Sequence, residues 1–240
     1  MDEQLYTIPV NDAFDSDCEC PLCVMRKALE TDAIEFTMGP SYMDDDVRMQ
    51  TNKTGFCADH VKMLYANGNR LGLGLMLHTH MQQVIKDVSS LQGKPSVGRS
   101  FFSKGRNPLV GYLEDLEKSC FICDRINRMF SRYVDTVFYL YRKDKDFRDK
   151  FAASKGFCNN HYALLLGRAE SALSGKDREE FVNTLNKLYL ENMRRVCDDV
   201  EWFTDKFDYR NVDAPWKNSK DALVRGIVKL NSASVEEQKN

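Results

Sequence analysis

The chain has 240 residues, 42% of them hydrophobic, enough to bury a substantial core as one large domain or two small ones. Basic residues number 34 against 36 acidic, a formal net charge of -2, which excludes a global attraction to nucleic acid or to an anionic membrane face. No apolar stretch approaches the roughly 20 residues that cross a bilayer; the longest, such as LGLGLML, are far shorter.

The opening residues, MDEQLYTIPVNDAFDSD, are acidic and lack the basic and apolar runs of a secretory signal, which predicts a cytoplasmic protein. In that compartment eight cysteines are expected as thiols, not as a disulfide framework. The first motif follows at Cys20-Pro-Leu-Cys23. Beyond it Leu22, Met25, Leu29, Ala33 and Phe36 step by three or four, an apolar helical stripe that Gly39-Pro40 ends. Asp44, Asp45 and Asp46 read as a solvated turn or a favourable helix start. Gly55-Phe56-Cys57-Ala-Asp-His60 then opens another helix, continued by Val61, Leu64 and Tyr65.

Gly72 and Gly74 are expected to allow close helix approach or a break after Asn67-Gly68-Asn69; no strand precedes them, as a phosphate loop would need. His78 and His80 lie two apart and would diverge by about 200° on a helix, so they do not share a metal. The stretch from Ser89 to Pro108 is rich in Gly, Ser and Pro and reads as a linker or surface loop. Its Lys94, Arg99, Phe101, Phe102, Lys104 and Arg106 mix basic and aromatic side chains, chemistry found on single-stranded nucleic acid, but a solvated loop is the better reading.

The second half repeats the first. Cys120-Phe-Ile-Cys123 lies one hundred positions after its counterpart, and Gly156-Phe157-Cys158-Asn-Asn-His161 lies 101 after its own. The intervals agree to one residue: 33 residues separate Cys23 from Cys57, and 34 separate Cys123 from Cys158. The run-up matches too, Asp46-Val47-Arg48 against Asp146-Phe147-Arg148. Ile122, Ile126, Met129, Tyr133, Val137 and Tyr141 predict a helix after the second pair, and Leu164, Leu165 and Ala169 one after the second Gly-Phe-Cys. A helix of about six turns from Phe181 carries Leu185, Leu188, Met193, Val196, Val200 and Phe203. A shorter one near Asp221 to Leu230 carries Leu223, Val224, Ile227 and Leu230. No stretch alternates as a half-buried strand does, so the fold class is all-α, with duplicated helical hairpins each closed by a Cys3His zinc site and long C-terminal helices. The organisation read from this is a first zinc-binding repeat over 1–90, a linker over 91–109, a second repeat with the C-terminal helices over 110–231, and a flexible tail over 232–240.

Zinc prefers a tetrahedron of thiolate and imidazole ligands. Taken within each repeat, Cys20, Cys23, Cys57 and His60 supply one such set, and Cys120, Cys123, Cys158 and His161 the other, for two zinc ions per chain. Helix starts suit the chemistry, because free amides and the positive dipole end favour thiolate. Cys18 is left spare beside the first pair and reads as inert, and Cys197 as a core or boundary residue. The pattern of C-P-x-C, G-F-C-x2-H and a second copy resembles an uncharacterised bacterial family catalogued only as a domain of unknown function. The resemblance extends to Gly72–His80 and Phe207-Asp-Tyr-Arg210; it implies a bacterial origin and a shared metal scaffold, and no activity.

A Cys3His shell leaves no open position for water or substrate, so the sequence favours a non-enzymatic adaptor or binding module with a protein partner, without nucleic acid or membrane. Two rivals are a thiol switch in which oxidation at Cys18, Cys20 or Cys23 expels zinc, and an enzyme with a pocket near His78 or His80.

Overall fold

A computed structural model describes residues 6–94, 107–233 and 235. Among them there is no strand, and eleven α-helices carry the fold: α1 (Thr7–Asp15), α2 (Pro21–Met38), α3 (Asp45–Thr54), α4 (Ala58–Asn67), α5 (Arg70–Leu91), α6 (Pro108–Glu117), α7 (Phe121–Lys143), α8 (Lys145–Ala153), α9 (Asn159–Ala172), α10 (Gly175–Asp205) and α11 (Ala222–Asn231). The all-α reading holds, and the helices follow one another in a similar order in the two halves. Helices α1 to α5 correspond in order to α6 to α10, and α11 has no counterpart. The expected loop between the repeats is shorter than its composition suggests, because α5 continues to Leu91 and α6 begins at Pro108. Of its basic and aromatic residues, Arg99, Phe101, Phe102, Lys104 and Arg106 lie outside the described residues, as does most of the tail.

Local chemistry fixes the helix starts in pairs. Asp44 caps α3 by accepting from the backbone N–H of Asp46 and Val47, and Asp144 caps α8 through Asp146 and Phe147. The aspartate run is therefore a helix start, and Asp144 plays the same part before α8. Helix α2 stops at Met38, where Gly39 leads into a 3-10 turn at Pro40–Met43.

The chain forms two compact units, Met1–Lys27 with Phe130–Asn240, and Ala28–Met129, so both boundaries fall inside helices, in α2 and α7. Neither unit coincides with one repeat. The first unit is built on aromatic rings: Phe151 lies 5.1 Å from Phe181, 5.3 Å from Tyr141 and 5.4 Å from Phe157 between centroids. Phe14 of α1 joins them at 5.0 Å from Phe147, which seats α1 on α8. The second unit packs α3 against α5, and its buried residues include aliphatic side chains and methionine, among them Val47 of α3, Leu64 of α4, and Leu73 and Met76 of α5. Arg48 ties the two helices by donating to the Leu75 carbonyl and to Thr79 at 3.2 and 3.0 Å. No helix among the described residues is long and apolar enough to cross a membrane.

Candidate metal centres

All four motifs sit where the sequence puts them, at helix starts. Cys20 stands just before α2, whose first residue is Pro21, and Cys120 just before α7. Cys57 and Cys158 are the extended residues that precede α4 and α9. The glycines of Gly-Phe-Cys have φ of +58° at Gly55 and +76° at Gly156, the left-handed half of the map. A Cβ at Gly156 would lie 3.0 Å from the Leu188 carbonyl oxygen, and one at Gly55 would lie 2.5 Å from His80 Nε2. Only glycine delivers the following cysteine without strain.

Eight ligand residues assemble into two quartets, but not the two expected. The first site holds Cys20, Cys23, Cys158 and His161; the second holds Cys57, His60, Cys120 and Cys123. Each takes its C-x2-C from one repeat and its C-x2-H from the other. The expected grouping within repeats is thus corrected, and the reason is geometric. Helix α2 carries the chain away from Cys23, and the return through α3 stops part-way: His60 Nε2 lies 3.3 Å from Glu30 Oε1. Glu30 stands about two turns past Cys23 on α2, and the Phe121 N–H donates to the Gly55 carbonyl, which sets the Cys57 segment beside the second C-x2-C. The matching intervals that suggested within-repeat sets are unchanged by exchange, so they could not tell the two apart.

The ligand atoms lie within a few tenths of an ångström of tetrahedral spacing, with the sulfur–nitrogen distances on the short side. An ion about 2.3 Å from sulfur and about 2.1 Å from nitrogen places its ligands about 3.6 to 3.8 Å apart. In the first site Cys158 Sγ lies 3.8 Å from Cys20 Sγ and 3.6 Å from Cys23 Sγ, while His161 Nδ1 lies 3.4, 3.4 and 3.1 Å from Cys20, Cys23 and Cys158. In the second, His60 Nδ1 lies 3.2, 3.4 and 3.3 Å from Cys57, Cys120 and Cys123, and Cys57 Sγ lies 4.0 Å from Cys123 Sγ. Both imidazoles present Nδ1.

The thiols share their protons in a way that invites a cation. Burial pushes Cys20 up to about 12, and hydrogen bonding to Cys158 and Cys20 raises Cys23. Those same two thiols, donating to Cys158, hold it well below the ordinary thiol range. In the second site burial carries Cys123 up to about 12 and also raises Cys120. Burial opposes ionisation of Cys57 too, but the backbone N–H of His60 and the neighbouring donors outweigh it, and its value falls. One thiolate held by two thiols is a quartet in which a divalent ion can replace the protons.

The surroundings of the two sites differ. Around the second, the Glu30 carboxylate receives His60 Nε2, which orients the ring and fixes its tautomer. At the corresponding place beside the first, Phe130 packs its ring 5.4 Å from that of His161. The backbone segments that carry the cysteines are also joined differently. In the second site the Phe121 N–H donates to the Gly55 carbonyl at 3.0 Å, and Ser119 Oγ to the Thr54 carbonyl at 2.7 Å. Pro21 and Glu19 occupy those places in the first site, and proline has no N–H to give. Instead Lys229 of α11, only 1% exposed, donates to the Glu19 carbonyl at 2.7 Å and to the Lys155 carbonyl at 2.5 Å. Glu19 completes the network through its carboxylate, 3.2 Å from Lys229 and 2.6 Å from Arg195. Burial lowers the Lys229 value while Glu19 pulls the other way. Ser232 Oγ donates to Cys158 Sγ at 3.0 Å.

Glu19, Glu30, Lys229 and Ser232 escaped the sequence reading. Their partners are distant in sequence, and the one local cue, an acid beside Leu29 on an apolar stripe, is common on solvated helix faces. Cys18 lies outside both quartets, its Sγ 3.9 Å from the Ala13 carbonyl, and it lines a surface cleft of about 380 Å³ with Lys150 and Lys155. Cys197 is exposed, not a core residue. His80 Nδ1 is bonded to the Asn52 carbonyl at 2.7 Å with its ring over Gly55, and His78 is exposed on the same helix.

Against known proteins, a model described as a family of unknown function (DUF6062) matches residues 1–237. No curated protein and no solved structure matches the chain.

Proposed function

The chain belongs to DUF6062, a family of unknown function, and we propose that it is a non-enzymatic cytoplasmic binding module or adaptor whose scaffold is held by two structural zinc ions. The observation that carries this reading is that each quartet is a complete Cys3His set with atoms within 4.8 Å of one another. Three sulfurs and one nitrogen favour zinc over hard cations, and four protein ligands close the shell against substrate and water. A catalytic zinc would keep one position open. The histidines outside the quartets support the same view: His80 is occupied in holding α5 to the end of α3, a packing duty.

Structural zinc also fits the connectivity. Each ion joins segments from different repeats, Cys20 to Cys158 across 138 positions and Cys57 to Cys123 across 66. Such an ion fixes the exchange of the repeats and with it the surface offered to a protein partner. X-ray absorption at the zinc edge on protein purified without added metal tests the proposal. Two zinc ions per chain, each with three sulfurs and one nitrogen, are expected. A coordinated oxygen that exchanges with solvent would overturn the non-enzymatic reading, and iron at the sites would overturn the zinc.

A further inference from the structure

Helix α11 stands outside the duplication, and its contacts converge on one metal site. Lys229 bridges the Glu19 carbonyl, adjacent to Cys20, and the Lys155 carbonyl, three residues before Cys158. Asn159, next to Cys158, donates to the Leu230 carbonyl at 3.3 Å, and Ser232 donates to the Cys158 sulfur itself at 3.0 Å. The helix end thus touches both backbone segments that carry the cysteines of the first site.

Three further features point the same way. At ten residues α11 is shorter than the roughly 12 to 15 at which even good isolated helices become marginal, so docking sustains it. Its buried face is not aliphatic at this end: Lys229 is buried, whereas Leu230 beside it is 57% exposed. A buried ammonium stays only while its acceptors stay together, because stranding it without partners is strongly unfavourable. The second site needs no such helix, since Ser119 and Phe121 join its two segments directly.

We propose that α11 is a metal-dependent latch: the ion of the first site holds the Glu19 and Lys155 carbonyls side by side, α11 docks on that pair through Lys229 and on Cys158 through Ser232, and loss of that ion releases the helix end. The proposal rests on reading the quartets as metal centres. By linkage the effect is reciprocal, so a docked α11 strengthens the first site and leaves the second untouched. The near end of α11 has its own support, since Arg225 pairs with Asp199 at 2.8 Å and with Asp221 at 2.9 Å. Release is therefore expected over 226–232 and less over 222–225.

Hydrogen exchange of the full chain loaded with zinc, before and after a competing chelator, tests the latch in a His60→Ala variant that keeps only the first site. Exchange over 226–232 is expected to quicken at least tenfold when the remaining ion is removed. In His161→Ala, which keeps only the second site, the same segment is expected to exchange fast from the start. Lys229→Met and Ser232→Ala supply the reverse measurement: each weakens zinc at the first site about tenfold and leaves the second unchanged. Bound zinc with unchanged exchange over 226–232 after its removal from His60→Ala overturns the latch alone. Failure of the wild-type chain to hold zinc at all overturns the metal reading and the latch together.

Discussion

The two candidate metal sites draw on the same ligand set, one C-x2-C and one C-x2-H taken in opposite chain order, yet the structures around them are differently supported. Around the first are a cluster of phenylalanine rings, a buried Glu19-Arg195-Lys229 network and an added helix; around the second are aliphatic packing, two short backbone bridges and a carboxylate on the histidine. Loop length does not separate them. An ion in the first quartet would close a span of 138 residues and one in the second a span of 66, and a doubling changes closure entropy by only about 0.6 kcal/mol. What differs is the packing each unit has apart from its quartet. The two quartets share a ligand geometry that a tetrahedral ion would demand, while their supports differ.

Complete metal removal is the strongest test of that contrast. A structural zinc of this kind contributes on the order of 10 kcal/mol, comparable to the whole net stability of a domain. Ala28–Met129 is expected to lose protection throughout, whereas Met1–Lys27 with Phe130–Asn240 keeps helices around its aromatic cluster and loosens at α11. Segment-resolved hydrogen exchange with and without chelator reads this directly, and equal loss in both units breaks the comparison.

Metal stoichiometry in paired variants tests the exchange itself. Cys23→Ala combined with His161→Ala removes two ligands from one site, and one zinc ion per chain is expected to remain. Cys23→Ala combined with His60→Ala damages both sites, and none is expected to bind tightly. Ligand sets confined to single repeats give the opposite pair of results.

These variants also mark the limit of what the sequence makes visible. The helix starts at Cys20, Cys57, Cys120 and Cys158 follow from apolar periodicity and motif position, and the eight ligands follow from residue type and spacing. Partner choice does not, because two copies with equal intervals look the same whether each closes on itself or on the other. Helix α1 escapes because its sequence carries few apolar residues, Val10, Ala13 and Phe14 being those it buries, and α6 because it begins inside the Gly-, Ser- and Pro-rich stretch read as a linker. On α11 the visible stripe of Leu223, Ile227 and Leu230 misleads: acceptors at Glu19 and Lys155, both far away in sequence, draw Lys229 inward instead.

The paired glycines sharpen the contrast at the level of backbone. Gly156→Ala sets a methyl against the Leu188 carbonyl, which cannot move without its helix, and demands a positive φ; a loss of about 2 to 4 kcal/mol is expected in urea unfolding. Gly55→Ala has the same φ penalty, but its clash is with the His80 ring, the end of a side chain. About 1 to 2 kcal/mol is expected there. Adding His80→Ala should recover the steric part and leave the φ part, whereas no coupling in the double-mutant cycle would show that the ring is not the obstacle.

The smallest expected effect tests how far the supports reach the ion. His60 receives the Glu30 carboxylate on Nε2, which raises the basicity of the ligating Nδ1 and holds the ring in place, while His161 has an aromatic face beside it. Outer partners of this kind change metal affinity by about 10- to 100-fold. Glu30→Ala is therefore expected to weaken the second site about tenfold in competition with a chromophoric chelator, and Glu30→Gln, which keeps the shape and an acceptor without the charge, by less. Phe130→Leu at the equivalent place is expected to leave the first site within a factor of about three, since no hydrogen bond to the ring is lost. Equal losses at the two sites would mean that residue 30 and residue 130 act only through packing, and the carboxylate would then have no electronic part in holding the ion.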